Sequence, residues 1–512
     1  MLSSGGVSVR TDNAAVRYAN YSPKLKAAPA LRFVIRRFDR KGSRFLMIRS
    51  VIVARRYNPA VRAEEFRILL ALEPSWTISI NGREFLHVRS SEISVEGSRL
   101  GFGRFTRTLL DIESMRPTSV RVRARARLRS RTDVLLFYAG EKLPSAAALR
   151  QRRTIFQRSL VPAISRYFGA RVTRQTLHSD KQHGIGGAYP RFLTGTSHSV
   201  IAVDPDETTP VVNGILRAAI QWSSVVKRRV AVVVPAGRSQ TLVSRLAAMP
   251  RVRESFDWLQ WDSTGLAPLV LDDGEVETYV QPYFQPEVAE EVERILAIAP
   301  TLLQPVPNIA GRAVSIRFRG LEVASVGERE TTYPLGGPLE RLLESLARER
   351  RYGSRHPLAR AHEEAWLESN LIARMRDLLP VRQDAIYPQV PSFRGEERKI
   401  IDLLTITEDG RLVVIEIKAA SDPDLPFQAL DYWLAVERHR LAGDFEANGY
   451  FKDIRIRNEP AVLVLVAPLL SFHRTLERVL AVLPPALPLL QVGLNQTWKR
   501  EIKVLRRKGA LR

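Results

Sequence analysis

The sequence predicts a multidomain protein of the α/β class. Three observations carry that prediction: a length of 512 residues, an arginine-loaded strand-rich region near the N-terminus, and strand–turn–helix–strand units further along. A chain this long exceeds what one hydrophobic core supports and should divide into roughly three or four domains. An apolar fraction of 45% and an aromatic fraction of 8% are those of a folded globular protein.

Residues 1–140 form the first expected domain, β-rich and basic. Segments such as Trp76–Ile80 and Phe85–Val88 alternate between apolar and polar residues, the period of a half-buried strand. Within Val120–Arg131, arginines 121, 123, 125, 127, 129 and 131 fall at every second position. On a strand, that spacing sets six guanidinium groups on one face and Val, Ala and Leu on the other. Such a face suits a phosphate backbone; it equally suits a solvated sheet surface whose charge blocks edge pairing.

Residues 141–280 form an expected α/β domain. A helical pattern over Leu143–Phe168 precedes strands at Ser199–Val203 and Val230–Pro235, with a helix near Val211–Trp222 between them. The segment SVIAVDPDETTPVVNGILRAAIQW, followed by VAVVVPAG, parallels VVIEIKAASDPDLPFQALDYWLAV, followed by AVLVLVAPLL. Both read strand, Asp-Pro-Asp turn, amphipathic helix, strand. If they are related, Ala202 and Asp204 stand where Glu416 and Lys418 stand, and the first unit is a degenerate copy. Two unrelated α/β units would show a similar parallel, and the sequence leaves both readings open.

Residues 281–355 read as a proline-rich connection carrying a strand pair over Val314–Val326 and a helix over Leu339–Arg350. The polar run Arg351–Pro357 marks a boundary near residue 355. The last domain, 356–512, opens with HEEAWLESNLIARMRDLL, in which Leu367, Leu371, Met375 and Leu378 recur at helical spacing. Glu364 and Glu368 continue that stripe. A carboxylate aimed inward needs a partner or serves a site; at an exposed helix start it would favour the dipole instead. Trp366 occupies the place of a second histidine, so HEEAW is not a zincin motif.

The densest chemistry lies in KIIDLLTITEDGRLVVIEIK, residues 399–418. The Asp-Gly step predicts a tight reversal between antiparallel strands. Asp402 and Glu416 then approach each other across the hairpin, and two adjacent carboxylates repel unless a hard divalent cation joins them. Lys418, two positions beyond Glu416, shares its face and can orient the water that attacks a phosphorus atom. The triplet alone is weak: Asp/Glu-x-Lys recurs by chance roughly three times in such a composition, and Glu501-Ile502-Lys503 repeats its letters. Downstream, Pro426 suits the first turn of a helix on which Gln428 and Tyr432 share a face.

Helix glutamate, strand aspartate, Glu-x-Lys strand and Gln-x-x-x-Tyr helix, in this order, resemble the PD-(D/E)xK nuclease superfamily. The match spans about residues 360–470 and is similar in particular to the nuclease domains of NucS-type (EndoMS) and RecB-like enzymes. Ile401 departs from the proline in the superfamily's name. The resemblance implies a mixed sheet flanked by helices, and Mg²⁺ (or Mn²⁺) held by Asp402, Glu416 and the carbonyl of Ile417. It also implies Lys418 as the catalytic lysine, Glu364 or else Glu368 as the helix carboxylate, and Gln428 with Tyr432 in support.

Composition points the same way. Against 54 acidic residues stand 78 Lys and Arg, giving a net charge of +24, and such an excess favours a polyanion through counterion release. Trp498, in the basic C-terminal segment, is a candidate for stacking on an unpaired base. With no cysteine, disulfides, thiol catalysis and Cys-containing zinc sites are excluded. No Gly-rich phosphate loop ends in Gly-Lys-Ser/Thr, which sets aside P-loop NTPases. The N-terminal residues lack the apolar core of a signal peptide, and no apolar run reaches membrane-spanning length. The expectation is a cytoplasmic, metal-dependent nuclease acting on DNA ahead of RNA in repair, recombination or defence, with no membrane partner and with room for a homodimer. The alternatives are a non-cutting nucleic-acid scaffold with the same fold and an RNA-directed nuclease.

Overall fold

The computed structural model describes residues 31–40, 43–52, 59–81, 84–126, 132–140, 146–195, 198–262, 264–271, 278–284, 286–392 and 400–509. Arg127, Arg129 and Arg131 lie outside them. Four hydrophobic clusters organise the described residues, one of them spanning two similar sheets. No described helix is long and apolar enough to cross a membrane.

A ribbon of Leu31–Arg40 and Ser43–Ile52 precedes a helix, Pro59–Ala71, and a seven-stranded antiparallel sheet. The arginine strand is Ser119–Ala126 in this sheet, and its alternation is as expected: Val120, Val122 and Ala124 are buried while Arg121, Arg123 and Arg125 are exposed. The segment expected to be a separate connection joins the same core. Ile316, Phe318 and Val323 of a four-stranded sheet, with Leu342 and Leu346 of the Leu339–Glu349 helix, pack with Phe66, Trp76 and Phe137. Helices from both segments, Pro59–Ala71 and Leu339–Glu349, contribute to this one core.

The chain on either side of the expected linker, Arg351–Pro357, is tied together. Arg350 is fully buried, donating to the carbonyls of Leu358 and Ala361, each at 2.6 Å, and of Arg319 at 2.9 Å, with its guanidinium 4.7 Å from the Trp366 ring. Burial, reinforced by nearby Arg319, lowers its pKa to about 9.

Two six-stranded sheets follow, and they share one topology. The first runs Val172–Thr176, Arg191–Thr194, His198–Ala202, Arg229–Pro235, Phe256–Asp262, Gly265–Pro268; the second runs Tyr387–Pro391, Ile400–Ile406, Leu412–Ile417, Val462–Pro468, Leu489–Leu494, Val504–Gly509. In each, the successive pairings are antiparallel, antiparallel, parallel, parallel, antiparallel. Each carries a helix before its first strand and another crossing from its third strand to its fourth. The first unit's crossover breaks at Gly214, into Thr209–Asn213 and Ile215–Ser223; the second is continuous, Leu425–Ala442.

Register corrects the correspondence expected from sequence. The parallel ladders end at Ala202 opposite Val233 and at Ile417 opposite Val466, and the next amides, of Val203 and Lys418, donate to those same two partners. Ile201 and Val203, rather than Ala202 and Asp204, therefore stand at Glu416 and Lys418. The antiparallel neighbour places Arg191 opposite Ile201, as Asp402 falls opposite Glu416. A one-residue slip exchanges the faces of a strand: Ile201 and Val203 face the core shared by the two sheets, whereas Val200 and Ala202 pack against Phe156, Leu160 and Ile164 of the preceding helix. Counted from the proline that starts each crossover, Val212 and Leu216 stand at Gln428 and Tyr432.

Candidate active site

The hairpin forms where the sequence places it. Its strands are Ile400–Ile406 and Leu412–Ile417, and Gly410 turns with φ +93°, a conformation costly for any residue with a Cβ. Thr407 braces the turn through its side chain, accepting from the Arg411 amide at 2.9 Å. Every residue of Leu412–Ile417 is buried. Val413, Ile415 and Ile417 face one core, and Leu412 and Val414 face the other. Glu416 shares the second face and is the one charged side chain on the strand.

Glu416 is 2% exposed, and its Oε1 accepts from Lys418 Nζ at 3.1 Å. Its Oε2 is buried with no hydrogen-bond partner. Asp402 Oδ2 accepts from the Ile417 amide at 2.7 Å. Lys418 Nζ also lies 3.7 Å from Oε2 of Glu364, which is half exposed in the first turn of the Glu363–Ala373 helix.

Burial governs the protonation of both strand carboxyls. It raises Asp402 to about 6, against the pull of Lys418 and of the Ile417 amide. Burial and then the neighbouring Asp402 push Glu416 well above the carboxylate range. Lys418 is held above its ordinary value: burial opposes its charge, but Glu416, Glu364 and Asp402 together outweigh it. Tyr432 is raised by burial and by Glu416 and Asp402, and its hydroxyl meets the backbone of Ile400. Gln428 is half-buried one turn earlier on the same helix.

Both glutamates named from the helix stripe are near the cluster, in different roles. Glu364 meets the lysine. Glu368 is buried, accepts from Arg317 Nη1 at 2.8 Å and from the Gln389 side-chain amide, and is raised to about 7 by burial, against Arg317 and with help from Asp402. Arg317 comes from the four-stranded sheet of the N-terminal unit, and Gln389, at φ +54°, from the edge strand Tyr387–Pro391. Sequence reasoning missed both, since neither lies in a motif. The non-glycine left-handed residue has no sequence signal, and only a buried glutamate demanding a partner hinted at an arginine.

Other expected site residues lie elsewhere. Trp498 is buried, edge-on to Trp366 at 6.0 Å, so its ring is core and offers no open face to a base. Glu501 and Lys503 of the repeated triplet are exposed and paired with each other at 3.1 Å. On the arginine strand, Arg121 pairs with Glu113 at 2.7 Å, and Arg123 with Asp111 at 2.9 Å and Glu113 at 3.1 Å. A phosphate would have to displace those acids; exposed pairs are weak enough to exchange. A separate cluster of Glu65, Glu349 and His356 brings ligand atoms together, but Arg348 already pairs with both carboxylates, at 3.4 and 2.8 Å.

The donor set at Asp402 and Glu416 fits a hard divalent cation. Glu416 Oε2 is a buried carboxylate oxygen without a hydrogen-bond partner, its carboxyl raised by burial and then by Asp402, and such oxygens are hard donors of the kind divalent cations take. No protein-family model matches this chain, and no curated protein is significantly similar to it.

Proposed function

We propose that this protein is a divalent-metal-dependent nuclease that hydrolyses phosphodiester bonds of DNA, with its centre at Asp402, Glu416 and Lys418 in a PD-(D/E)xK-like unit. The observation that carries the reading is the buried pair Glu416–Lys418 facing Asp402 across the hairpin, with Glu416 Oε2 unpartnered. A structural ion pair would need neither the second carboxyl nor the orphan oxygen.

Asp402, Glu416 and the carbonyl of Ile417 would hold Mg²⁺ or Mn²⁺, which supplies Lewis acidity to a phosphoryl oxygen and lowers the pKa of water. The protein's own groups do the rest. The Lys418 ammonium orients a water and offsets the charge that grows on the phosphoryl oxygens. The Ile417 amide fixes the Asp402 carboxylate, and Glu364 holds Lys418 from the solvent side. Water oxygen bonds to phosphorus, one P–O ester bond breaks, and the water's protons pass to the departing oxygen and to solvent. The products are one hydroxyl end and one phosphomonoester end. The net charge of +24 supplies the long-range attraction for such a substrate.

The first sheet unit fits this reading as a degenerate copy. It keeps the strand order, directions and crossover, with Arg191, Ile201, Val203, Val212 and Leu216 at the five positions that carry the chemistry in the second. The test is incubation of the full chain with labelled single-stranded, duplex, mismatched and branched DNA, and with matched RNA. Cleavage that requires Mg²⁺ or Mn²⁺ and falls by roughly 10²-fold or more in Asp402→Ala and Lys418→Ala is expected. Cleavage that survives both substitutions would sink the assignment.

A further inference from the structure

We propose that this chain makes one cut per encounter with duplex DNA, so that its product is a nick and not a double-strand break. The inference rests on the nuclease reading of the second unit.

The two sheet units meet as the halves of a dimer would, through equivalent elements. Each unit's later helix reaches the other unit's crossover helix. Arg245, on Gln240–Ala248, donates to both oxygens of Asp431 at 2.8 and 2.9 Å, and Arg478, on Leu476–Leu480, donates to Gln221 at 2.8 Å. Arg217 adds a bond to Asp424 at 2.6 Å. One hydrophobic core, containing Leu216 and Leu246 from the first unit and Leu430 and Val479 from the second, runs through the interface. Equivalent helices meet, through side chains at different positions, with both units on one chain.

The strands of a duplex are antiparallel and related by dyads perpendicular to its axis. Two centres related by such a dyad would address both strands at once, just as dimeric readers mirror palindromic sites. Here two like units are present, and among the described residues the first carries no second centre. Ile201, Val203, Val212 and Leu216 are buried hydrocarbon, and Arg191 brings a cation where Asp402 brings a carboxylate. That guanidinium is itself buried, bonded to the His178 carbonyl at 2.5 Å. Asp204 follows Ala202 on the other side of its sheet, where it is buried, accepts from the Asp206 amide at 2.9 Å, leaves Oδ2 unpartnered and is raised above the ordinary carboxylate value by burial. A second chain cannot bring its own centre by the same route, because the faces of Leu425–Ala442 and Leu476–Leu480 that would receive it are covered by the first unit. Each encounter therefore breaks one P–O bond in one strand, with one water consumed.

The experiment uses the 512-residue chain, Mn²⁺ and supercoiled plasmid in molar excess. Loss of supercoiled circles matched by open circles is expected, with linear molecules lagging and arising from independent nicks. Linear product in constant proportion from the earliest times would overturn the proposal and leave the nuclease reading intact; no cutting of any DNA would remove both. Mixing wild-type with Lys418→Ala protein gives a second readout. A rate proportional to the wild-type fraction is expected, and a rate that falls as its square, the mark of two chains cutting together, would overturn the proposal.

Discussion

Glu416 is placed where a buried strand would otherwise carry a hydrocarbon, and its environment shows the cost of that placement. Burial and the adjacent Asp402 push its carboxyl above the ordinary carboxylate value, while Glu416, Glu364 and Asp402 outweigh burial to hold Lys418 above its own. Glu368 deepens the acidic character of the region from the helix side. Because its pKa rises from 4.5 to about 7 on folding, the folded state binds more protons than the unfolded chain between those values. The contribution of Glu368 is thus most favourable at low pH and declines as pH rises through about 7. A shift of that size corresponds to about 3 kcal/mol. Urea unfolding of the metal-free protein at pH 5.5 and pH 8 should show a fall in stability with pH that is smaller by about 2 kcal/mol in Glu368→Gln, the part of that total lost within this window. An unchanged slope in the variant would refute the account.

At the scale of elements, the Glu363–Ala373 helix joins the core of the last domain to the N-terminal unit. Trp366 receives Arg350 on one side and Trp498 on another, while Glu368 ties the helix to Arg317 of the N-terminal sheet. The close fit extends to backbone: Gly320, at φ +82°, abuts the carbonyl of Ala365, and a Cβ there would overlap it. Trp498→Ala should therefore act as a core truncation, lowering unfolding free energy by about 3–5 kcal/mol. DNA affinity of the folded variant, measured by anisotropy, should stay close to wild-type. A selective loss of affinity with normal stability would instead return Trp498 to the role of a stacking platform. On the arginine strand, Arg121 and Arg123 are already matched by acids across the ladder, so any phosphate contact there begins as an exchange of partners.

For the whole molecule, the shared core makes the two sheet units one folding entity, although the first carries no equivalent of the centre. Arg245 and Asp431 are 4% and 6% exposed at their interface. Removing the cation strands a buried carboxylate, so Arg245→Ala should cost about 3–5 kcal/mol. Unfolding should remain a single transition, followed by hydrogen exchange in strands Arg229–Pro235 and Val462–Pro468, because neither unit buries its crossover helix without the other. Separate protection of the two strands in the wild-type protein would show that the units fold independently.

Much of this was legible locally. The Asp-Gly reversal between two apolar strands, the alternation of arginines on Ser119–Ala126, and the stripe of Leu367, Leu371, Met375 and Leu378 each follow from chain geometry within a few residues, and each is present. The long helix expected over residues 362–379 breaks at Arg374, yet its inward face is as expected. The repeat was legible as a pattern but not in register, since two similar apolar strands give no local mark of which residue meets the neighbouring strand.

The sequence by itself determined which residues share a face, and so brought Asp402, Glu416 and Lys418 together across one hairpin. Only the tertiary structure decided what meets those faces. It joined residues 281–355 to the N-terminal sheet, brought Arg317 to Glu368, buried Trp498 against Trp366 and set Ile201 and Val203 at the positions of Glu416 and Lys418. Periodicity is a property of the backbone within a few residues, whereas these contacts depend on how sheets distant in sequence close over one another.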